Sequence, residues 1–340
     1  MNIVILTKKF GYNFTGATMA THMLIQEWCS NDIVKNIYVL TLNTGKYNQQ
    51  SKLQIVLCRN NHELKSRAQQ FNGKRTAYYS DDHLGYLLSG LPYVHTYHGN
   101  WPDARYLNFE YFVKSFYFMN CYKKTIEKAR YVVNVSYYMS KFTEKYNTNS
   151  VVIRNGVNDN NKNNEEKANN TRQNNKVVMI GNVDNRKYKK LLDILPLLPK
   201  EIEIDIYGKI IDKSLYKKIS NYPQVNFEGY IPFDKIDIKS YKCLVSVSLM
   251  ENMPISLVEV LKEGIPVIAI DAGGISEIVN KSNGSIFDKN DISGIASEIT
   301  LLCKGKKRYQ IDAKAIEEYD WNISGNKYID LFKRIINNRD

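Results

Sequence analysis

The 340-residue sequence predicts an α/β protein made of two doubly wound domains, and three observations lead to this fold class. Short apolar runs rich in β-branched residues alternate with helical patterns in both halves of the chain, which is typical of parallel sheets covered by helices. An Asn-rich segment at residues 158–176 contains almost no apolar side chain and predicts a solvated linker. An amphipathic pattern from about residue 323 to 340 predicts a terminal helix. We therefore expect domains at residues 1–157 and 177–322.

The predicted strands follow one another with helical segments between them. In the first half they lie at residues 2–6, 36–40, 53–57, 93–98, 131–134 and 151–153. In the second half they lie at residues 177–180, 203–207, 225–227, 244–247 and 267–270. Ligands of open parallel sheets bind beyond the carboxyl ends of the strands. The two domains are therefore expected to turn these edges toward a shared cleft.

Composition favours a protein without a membrane span or a disulfide framework. Hydrophobic residues make up 43% of the chain, and no apolar run approaches the roughly 20 residues that cross a bilayer. The first ten residues have the character of a strand and not of a signal peptide. The five cysteines are odd in number and scattered, which predicts reduced thiols and a cytoplasmic location.

The net charge of +12 has two interpretations. It follows from a composition rich in Lys, Asn, Ile and Tyr, as in AT-rich genomes, or it serves attraction to a polyanion or an anionic membrane surface. No zinc-finger spacing or RNA-binding aromatic motif accompanies the charge. The sequence therefore predicts no nucleic-acid partner.

Residues 242–279 predict a strand, a helix and a second strand, in that order. Asn252 is placed to cap the helix, whose first turn contains Pro254. A helix N-terminus at the carboxyl end of a buried parallel strand is an anion-binding site, because its first amides have no partner inside the helix. We expect a phosphate on three of these amides, those near Ile255, Ser256 and Leu257.

Two glutamates accompany this predicted phosphate site. Glu251 stands at its mouth, and Glu259 follows eight positions later along the helix. With a phosphate on the amides, the carboxylates would face something neutral and hydroxylated, such as a sugar. A nucleotide sugar supplies both parts.

This segment resembles the signature of retaining glycosyltransferases of family 4, of the bacterial cell-surface polysaccharide type. Glu251 and Glu259 match the family's E-x7-E motif, and its spacing is also matched at Pro254, Ser256, Gly264, Pro266, Gly273 and Gly274. The resemblance implies the GT-B fold, in which two Rossmann-like domains face a central cleft and the last helix crosses back onto the first domain.

The resemblance also implies a reaction. A sugar would pass from a nucleotide-sugar donor, with a UDP-sugar favoured, to a glycan acceptor such as a lipid-linked or teichoic-acid-type precursor. No metal ion or other cofactor is expected. The protein would work in the cytoplasm or peripherally at the inner face of the cell membrane.

Three side chains receive roles near the sugar from this resemblance. Glu251 would contact the donor sugar and stabilise its oxocarbenium character, and Glu259 would bind the ribose hydroxyls. His98, at the end of a predicted strand, would lie near the donor sugar, where a neutral imidazole can accept one hydrogen bond and donate another. His95 and His98 would point to opposite faces of the strand, which argues against a metal site.

Further donor contacts are implied in three loops. Gly16, in the first strand-to-helix loop, partly matches a Gly-Gly pair that lets the backbone approach a phosphate. Lys187 matches a cation that clamps the diphosphate, but Asn182 stands where the family has an arginine. Arg186, in the same loop, could replace that arginine. Ile231 lies in a loop that is implied to contact the nucleotide base.

Residues 105–131 are dense in aromatic side chains and become basic toward their end. An interfacial helix would pair such rings with cations that meet anionic headgroups. The alternative is a core helix of the first domain with a basic outer face.

Two functions from other classes stay open for the whole chain. One is a catalytically silent accessory or sugar-binding subunit of the same architecture, against which Glu251, Glu259 and His98 argue. The other is a sugar-nucleotide epimerase, which would need a different set of carboxylates and histidines.

Overall fold

The computed structural model describes residues 1–12, 14–157, 175–312 and 316–338. The chain divides into two compact units, which are called unit 1 (residues 1–156 and 319–340) and unit 2 (residues 157–318). The predicted linker at residues 158–176 lies outside the described residues except for its last two positions. Of these, Lys176 already belongs to a strand, so the second sheet starts one residue earlier than predicted.

Unit 1 is built on one parallel sheet. Its strands are β1 (Asn2–Phe10), β2 (Asn36–Thr44), β3 (Leu53–Leu57), β4 (Thr76–Ser80), β5 (Tyr93–Tyr97), β6 (Tyr131–Asn134) and β7 (Ser150–Val152). They are arranged in the order β3-β2-β1-β4-β5-β6-β7. The connecting helices are α1 (Gly16–Ser30), α2 (Asn61–Gln70), α3 (Trp101–Ala104), α4 (Phe109–Lys128) and α5 (Tyr137–Ser140), with a 3₁₀ turn at Gly85–Leu88.

Unit 2 repeats the same winding on a second parallel sheet. Its strands are β8 (Lys176–Ile180), β9 (Glu203–Tyr207), β10 (Val225–Gly229), β11 (Leu244–Ser246), β12 (Val267–Ile270) and β13 (Gly284–Phe287), arranged in the order β10-β9-β8-β11-β12-β13. The helices are α6 (Asn185–Tyr188), α7 (Leu191–Ile194), α8 (Lys213–Ile219), α9 (Ile255–Lys262) and α10 (Ile292–Cys303). The predicted fold class, two doubly wound α/β domains, is confirmed.

The last helix, α11 (Trp321–Asn337), belongs to unit 1 and begins two residues before its predicted start. It packs on α1 and on β4. Its apolar face is buried against an aromatic cluster in which Trp28 lies 5.2 Å from the ring of Phe332 and 5.7 Å from that of Tyr328. A 2.7 Å hydrogen bond between the hydroxyls of Tyr328 and Thr96 of β5 fixes the helix to the sheet.

All eleven predicted strands correspond to strands of the structure. The bounds of β3, β6, β9 and β12 are those predicted, whereas β1 and β2 run four residues further than predicted. Two strands were not predicted. β4 contains two buried tyrosines in a run of otherwise small residues, and β13 has only four residues and begins with a glycine, so neither carries a strong strand pattern.

Two further sequence-based expectations concern cysteines and membrane spans. All five cysteines are buried and free, as predicted. Among the helices that fall within the described ranges, none has the length and apolar content needed to cross a bilayer.

The packing of α11 predicts that Phe332→Ala destabilises unit 1. Phe332 is fully buried, and losing its ring costs about 3–5 kcal/mol through lost transfer energy and the cavity left behind. Ile323→Ala on the same helix is the matched control, because this side chain is 40% exposed and its loss changes stability by about 0.5 kcal/mol or less. Urea denaturation followed by tryptophan fluorescence tests this, because Trp28, Trp101 and Trp321 all lie in unit 1. Equal losses in the two variants would contradict the packing.

Candidate active site

The candidate site lies in unit 2 at the point where the strand order reverses. β8 and β11 are neighbours at the centre of the sheet, and the chain winds outward from them in both directions. At such a point the loops leaving the two strands diverge and open a crevice at their carboxyl ends. Residues of β8 and β11 line a small pocket there together with Lys187, Glu251, Ser256 and Leu257. Four predicted site residues therefore share one pocket.

The centre of the pocket is the carboxylate of Glu251. The Lys187 ammonium lies 3.1 Å from its Oε1, and the Arg186 guanidinium lies 3.4 Å from the same atom. The Ser248 hydroxyl donates a 2.8 Å hydrogen bond to it as well. The Glu251 side chain is only 11% exposed, so the three contacts hold a largely desolvated carboxylate.

The surroundings of Glu251 set its charge. Burial alone would raise its pKa, but the Lys187 ammonium and then the Arg186 guanidinium outweigh burial, and the pKa lies below the ordinary value. Glu251 is therefore an anion at neutral pH. The Asp184 carboxylate lies 3.8 Å from the Arg186 guanidinium, so the cluster consists of two cations and two carboxylates.

The loop after β8 delivers the two cations. Asp184 caps α6 by accepting a 2.9 Å hydrogen bond from the Lys187 amide, which fixes the direction of the short helix. The Arg186 carbonyl accepts from the amide of Leu249, and its guanidinium donates at 2.8 Å to the carbonyl of Met250. The loops after β8 and β11 are thus locked to each other through backbone groups.

Two glycines allow this close packing. Gly273 has φ +65°, and a Cβ placed there would lie 1.6 Å from the Glu251 carbonyl oxygen. The next amide, that of Gly274, donates to the same carbonyl. Gly181 has φ +146°, and a Cβ there would lie 3.0 Å from the Lys187 side chain. The loops after β12 and β8 therefore approach Glu251 and Lys187 only because these positions lack side chains.

The helix N-terminus differs in detail from the prediction. α9 begins at Ile255 with Pro254 as its N-cap, so Asn252 does not cap it and Pro254 is not in its first turn. Met253 is disfavoured in the α region because it precedes a proline, and Pro254 itself has an extended ψ of 107°. The helix therefore starts only after Met253 and Pro254. The Leu257 amide donates to the Pro254 carbonyl at 3.2 Å. Among the described residues, the amides of Ile255 and Ser256 are left without an acceptor.

Glu259 lies one turn further along α9 and stands apart from the charged cluster. It forms no ion pair or hydrogen bond with any residue that the structure describes, and it does not line the pocket around Glu251. Burial raises its pKa to about 7. The two glutamates of the motif therefore differ in charge state, with Glu251 ionised and Glu259 half protonated near neutral pH.

Two other predicted positions in unit 2 have different surroundings. The Asn182 side chain accepts a 3.2 Å hydrogen bond from the amide of Lys209, which shows that it serves the turn after β9. Arg186 makes the contacts with Glu251 that were described above. Ile231 is half-buried in the loop after β10, and it is not among the residues that line the pocket.

The predicted site residues in unit 1 are Gly16 and His98. Gly16 is the first residue of α1, is exposed, and has open space where a Cβ would be. β5 ends at Tyr97, one residue earlier than predicted, and His98 follows directly after it. Burial lowers the pKa of His98 to about 4, so its imidazole is neutral at physiological pH, as predicted from its proposed role.

Sequence reasoning missed the residues that position the site. Ser248 and Asp184 had no predicted role, although one bonds Glu251 and the other orients Lys187. Their signal is positional, because each lies in the loop after a strand and three positions before a charged residue. Among the described residues, no group of three or more His, Cys, Asp or Glu is arranged to hold a metal ion.

Two family models match this chain, one over most of unit 2 and the other over part of unit 1. Residues 160–318 match the model described as "Glycosyl transferases group 1", and residues 76–161 match the model described as "Glycosyltransferase Family 4". A sulfoquinovosyl transferase of Arabidopsis thaliana is 25% identical over 162 residues, and the match covers 44% of this chain and 32% of that protein. The chain thus matches about a third of the length of this curated relative.

Solved structures share the fold at low sequence identity. The lipopolysaccharide outer core galactosyltransferase WaaB has a TM-score of 0.73 at 15% identity, with 98% of this chain and 100% of that chain covered. HepE of Anabaena in complex with UDP-glucose has a TM-score of 0.74 at 16% identity, with the same coverage. The two family models on this two-unit fold indicate a glycosyltransferase of the GT-B type.

The close approach of Gly273 to Glu251 predicts that Gly273→Ala destabilises unit 2. Gly305→Ala is a matched control, because Gly305 has φ +67° but open space around it, so it carries only the left-handed strain of about 1–2 kcal/mol. Gly273→Ala adds a collision with backbone and should cost about 3 kcal/mol or more. Differential scanning calorimetry measures both. Equal losses would show that the loops are not held together at this point.

Proposed function

We propose that the chain transfers a sugar from a nucleotide-sugar donor to a glycan acceptor, and that unit 2 binds the donor. The observation that carries this proposal is the carboxylate of Glu251, held by Lys187 and Arg186 beside the first amides of α9. Cations and free amides suit a diphosphate, whereas an ionised carboxylate next to them suits a hydroxylated sugar. A nucleotide sugar presents these two groups side by side.

The leaving diphosphate would be neutralised by groups already in place. Lys187 can turn from Glu251 toward a bound phosphate, since its ammonium sits on a flexible stem at 3.1 Å. The Arg186 guanidinium donates to the Met250 carbonyl and would offer its remaining N–H groups to the diphosphate. It would thereby replace the arginine that the family has at the position of Asn182, which carries no charge. The amides of Ile255 and Ser256 complete the set. Catalysis would then be mainly electrostatic, with no resident metal or other cofactor.

Glu251 and Glu259 take different parts in this proposal. Glu251 is ionised and lies next to the two cations that would bind the diphosphate. It would contact the donor sugar and stabilise the positive charge that develops as the bond to the phosphate breaks. Glu259, one turn along α9, would accept hydrogen bonds from the ribose hydroxyls. Its burial without a partner among the described residues fits a carboxylate that gains its partner from a ligand.

We further propose that the anomeric configuration is retained, as in the family that the motif resembles. The bond from the anomeric carbon to the phosphate oxygen breaks, the bond to the acceptor oxygen forms on the same face, and the acceptor proton passes to the departing phosphate. No enzyme nucleophile is then required. His98, Gly16 and Ile231 stay predictions from the resemblance, with His98 and Gly16 on unit 1.

The class of donor and acceptor is also a proposal. A UDP-sugar is favoured because HepE, which shares the fold, was solved with UDP-glucose. A lipid-linked or cell-surface glycan precursor is favoured as acceptor, by analogy with WaaB and its lipopolysaccharide outer core. Such an acceptor would place the protein in the cytoplasm, at the inner face of the cell membrane.

A panel of UDP- and GDP-sugars, with and without candidate glycan acceptors, tests the proposed function. Nucleotide release that rises when an acceptor is added supports transfer, and NMR of the product reports the anomeric configuration. Binding of donors without any release would instead identify a silent subunit. Conversion of the donor sugar without release of the nucleotide would identify an epimerase.

Glu251→Gln should lower turnover by about a hundredfold to a thousandfold, because the neutral amide cannot stabilise the developing positive charge. The side chain keeps its size, and Gln can still contact Ser248, so the fold should persist. Steady-state kinetics with the preferred donor, together with circular dichroism, provide the measurement. A variant with near-normal turnover would remove Glu251 from the mechanism.

Lys187→Ala should weaken UDP binding by about ten- to a hundredfold, because it removes a charge-assisted contact with the diphosphate. Lys189→Ala is the matched control, since Lys189 is two residues away and exposed. Isothermal titration calorimetry with UDP measures both variants and Arg186→Ala. If Lys187→Ala bound UDP as tightly as Lys189→Ala, Lys187 would lie outside the phosphate site. Comparing Arg186→Ala with Lys189→Ala decides in the same way whether Arg186 contacts the phosphate.

Glu259 predicts a pH dependence of donor affinity. Its pKa of about 7 means that it is protonated on the acid side, where it accepts hydrogen bonds poorly, so UDP affinity should fall by up to about tenfold per pH unit below about 7. The 2′,3′-dideoxy analogue of UDP shares the titrating phosphate but lacks the hydroxyls, and should not show this fall. Glu259→Gln should abolish the difference in pH dependence between the affinities of UDP and of the analogue. Parallel pH profiles in the unmodified protein would contradict the ribose contact.

A further inference from the structure

The first half of α4 carries an apolar surface that the rest of unit 1 leaves uncovered. Phe109 is 80% exposed and Phe116 is 61% exposed, although both are large aromatic side chains on a regular helix. Five large apolar neighbours are exposed with them, of which Tyr111, at 40%, falls on another side of the helix. The other four and the two phenylalanines are called the aromatic face: Tyr106, Phe109, Phe112, Val113, Phe116 and Tyr117. An exposed apolar patch of this kind on a soluble fold marks an interaction site.

The helix is divided along its length between core and surface. From Cys121 onward it is anchored in unit 1, with Tyr122, Thr125 and Ile126 buried. Before that point its residues are exposed except for the buried Ser115 and the half-buried Phe118 and Met119. The expectation of a core helix with a basic outer face therefore holds only for the second half. The first half extends its rings away from the core.

The aromatic face is one stripe on a rigid support. At about 100° per residue, the positions 109, 112, 113, 116 and 117 fall within an arc of about 140°, as in an amphipathic helix. The helix is held at its middle by Trp101 of α3, whose ring stacks on Phe118 with centroids 4.2 Å apart, and near its start the same ring lies 5.8 Å from that of Tyr111. The stripe is therefore presented in a fixed direction.

Cations surround these rings. Between residues 105 and 130 the chain has six Lys and Arg residues and two acidic ones, Glu110 and Glu127. Both acids are paired with a lysine one turn away, Glu110 with Lys114 and Glu127 with Lys123. Lys124, Lys128 and Arg130 are exposed and form no ion pair with the described residues. The segment therefore presents a surplus of positive charge beside an apolar stripe.

One cation is built into the aromatic face itself. The Arg105 guanidinium lies 5.4 Å from the ring centroids of Tyr106 and Phe112 and 6.0 Å from that of Phe116. A cation at the level of exposed rings suits an interface where hydrocarbon and anionic headgroups meet, because each part has its own partner there. An apolar groove on a protein would leave the surplus of cations without a counterpart.

We propose that the first half of α4 docks into the interface of a membrane that contains anionic lipid. The aromatic face would enter the boundary between headgroups and acyl chains, and Arg105, Lys124 and Lys128 would meet the phosphates. The attachment is reversible and weakened by salt. This inference rests on the proposed function only in explaining how a lipid-linked acceptor would be reached, and the binding itself requires no donor.

Vesicle sedimentation tests the docking. Vesicles of phosphatidylcholine alone are compared with vesicles of phosphatidylcholine and phosphatidylglycerol, at low and high salt. We expect the protein to sediment with the anionic vesicles at low salt and to be released by high salt. Phe109→Ser with Phe116→Ser should lower the partition coefficient at least tenfold, whereas Leu57→Ser, at an equally exposed apolar position of unit 1, should leave it unchanged.

A second pair of variants separates local from overall charge. Lys124→Gln with Lys128→Gln should lower partitioning about fivefold per charge removed. Lys217→Gln with Lys218→Gln removes the same charge from the exposed surface of α8 in unit 2 and should change partitioning by less than about twofold. Equal losses in the two pairs would overturn the proposal, as would a protein that ignores anionic vesicles at low salt. A dimer that forms through Phe109 and Phe116 without vesicle binding would overturn it too.

Hydrolysis of the UDP-sugar in the absence of vesicles distinguishes this proposal from the proposed function. The α4 variants should hydrolyse the donor as fast as the unmodified protein, because none of the altered residues lies in unit 2. Vesicle binding without any donor hydrolysis would leave the docking supported and count against the glycosyltransferase function alone.

Discussion

The contact between Glu251 and its two cations is the interaction on which the site depends. A carboxylate at the centre of a sheet edge is desolvated, and Lys187 and Arg186 keep it ionised despite that burial. The same cations have the charge that a diphosphate requires. Their position depends in turn on the cap at Asp184, and that of Glu251 on the missing side chain at Gly273. A few backbone contacts between the two loops therefore hold the cations in place. In the proposed function, Lys187 exchanges the Glu251 carboxylate for a phosphate of the donor.

The repeated winding explains why this arrangement forms at one place. Both sheets are parallel and reverse their strand order once, so each has a single central crevice at its carboxyl edge. In unit 2 this crevice receives the loops after β8 and β11 and the N-terminus of α9. Unit 1 uses the same scaffold differently, since its aromatic core around Trp28 is closed by α11, a helix contributed from the far end of the chain. The fold thus supplies the positions, and the loops supply the chemistry.

Much of this could be predicted from the sequence, because the features concerned depend on local patterns. Apolar runs predicted nine of the strands close to their final bounds, and the motif around Glu251 and Glu259 indicated the pocket that also contains Lys187. The pairing of Arg186 with Glu251 was not predicted, because it joins residues 65 positions apart through a backbone contact at Met250. The helix start was predicted too early because Asn252 is a good cap in isolation, whereas Pro254 imposes extended backbone before the helix. The division of α4 into a buried and an exposed half depends on what packs against it, and periodicity alone cannot give that.

We propose that the crevice between β8 and β11 receives the diphosphate of a nucleotide sugar. A crystal structure of the protein with UDP tests it most directly. We expect phosphate oxygens within about 3 Å of the Lys187 ammonium and of the amide of Ile255 or Ser256, with Glu251 no longer paired to Lys187. A diphosphate bound elsewhere, with the contact between Glu251 and Lys187 unchanged, would contradict it.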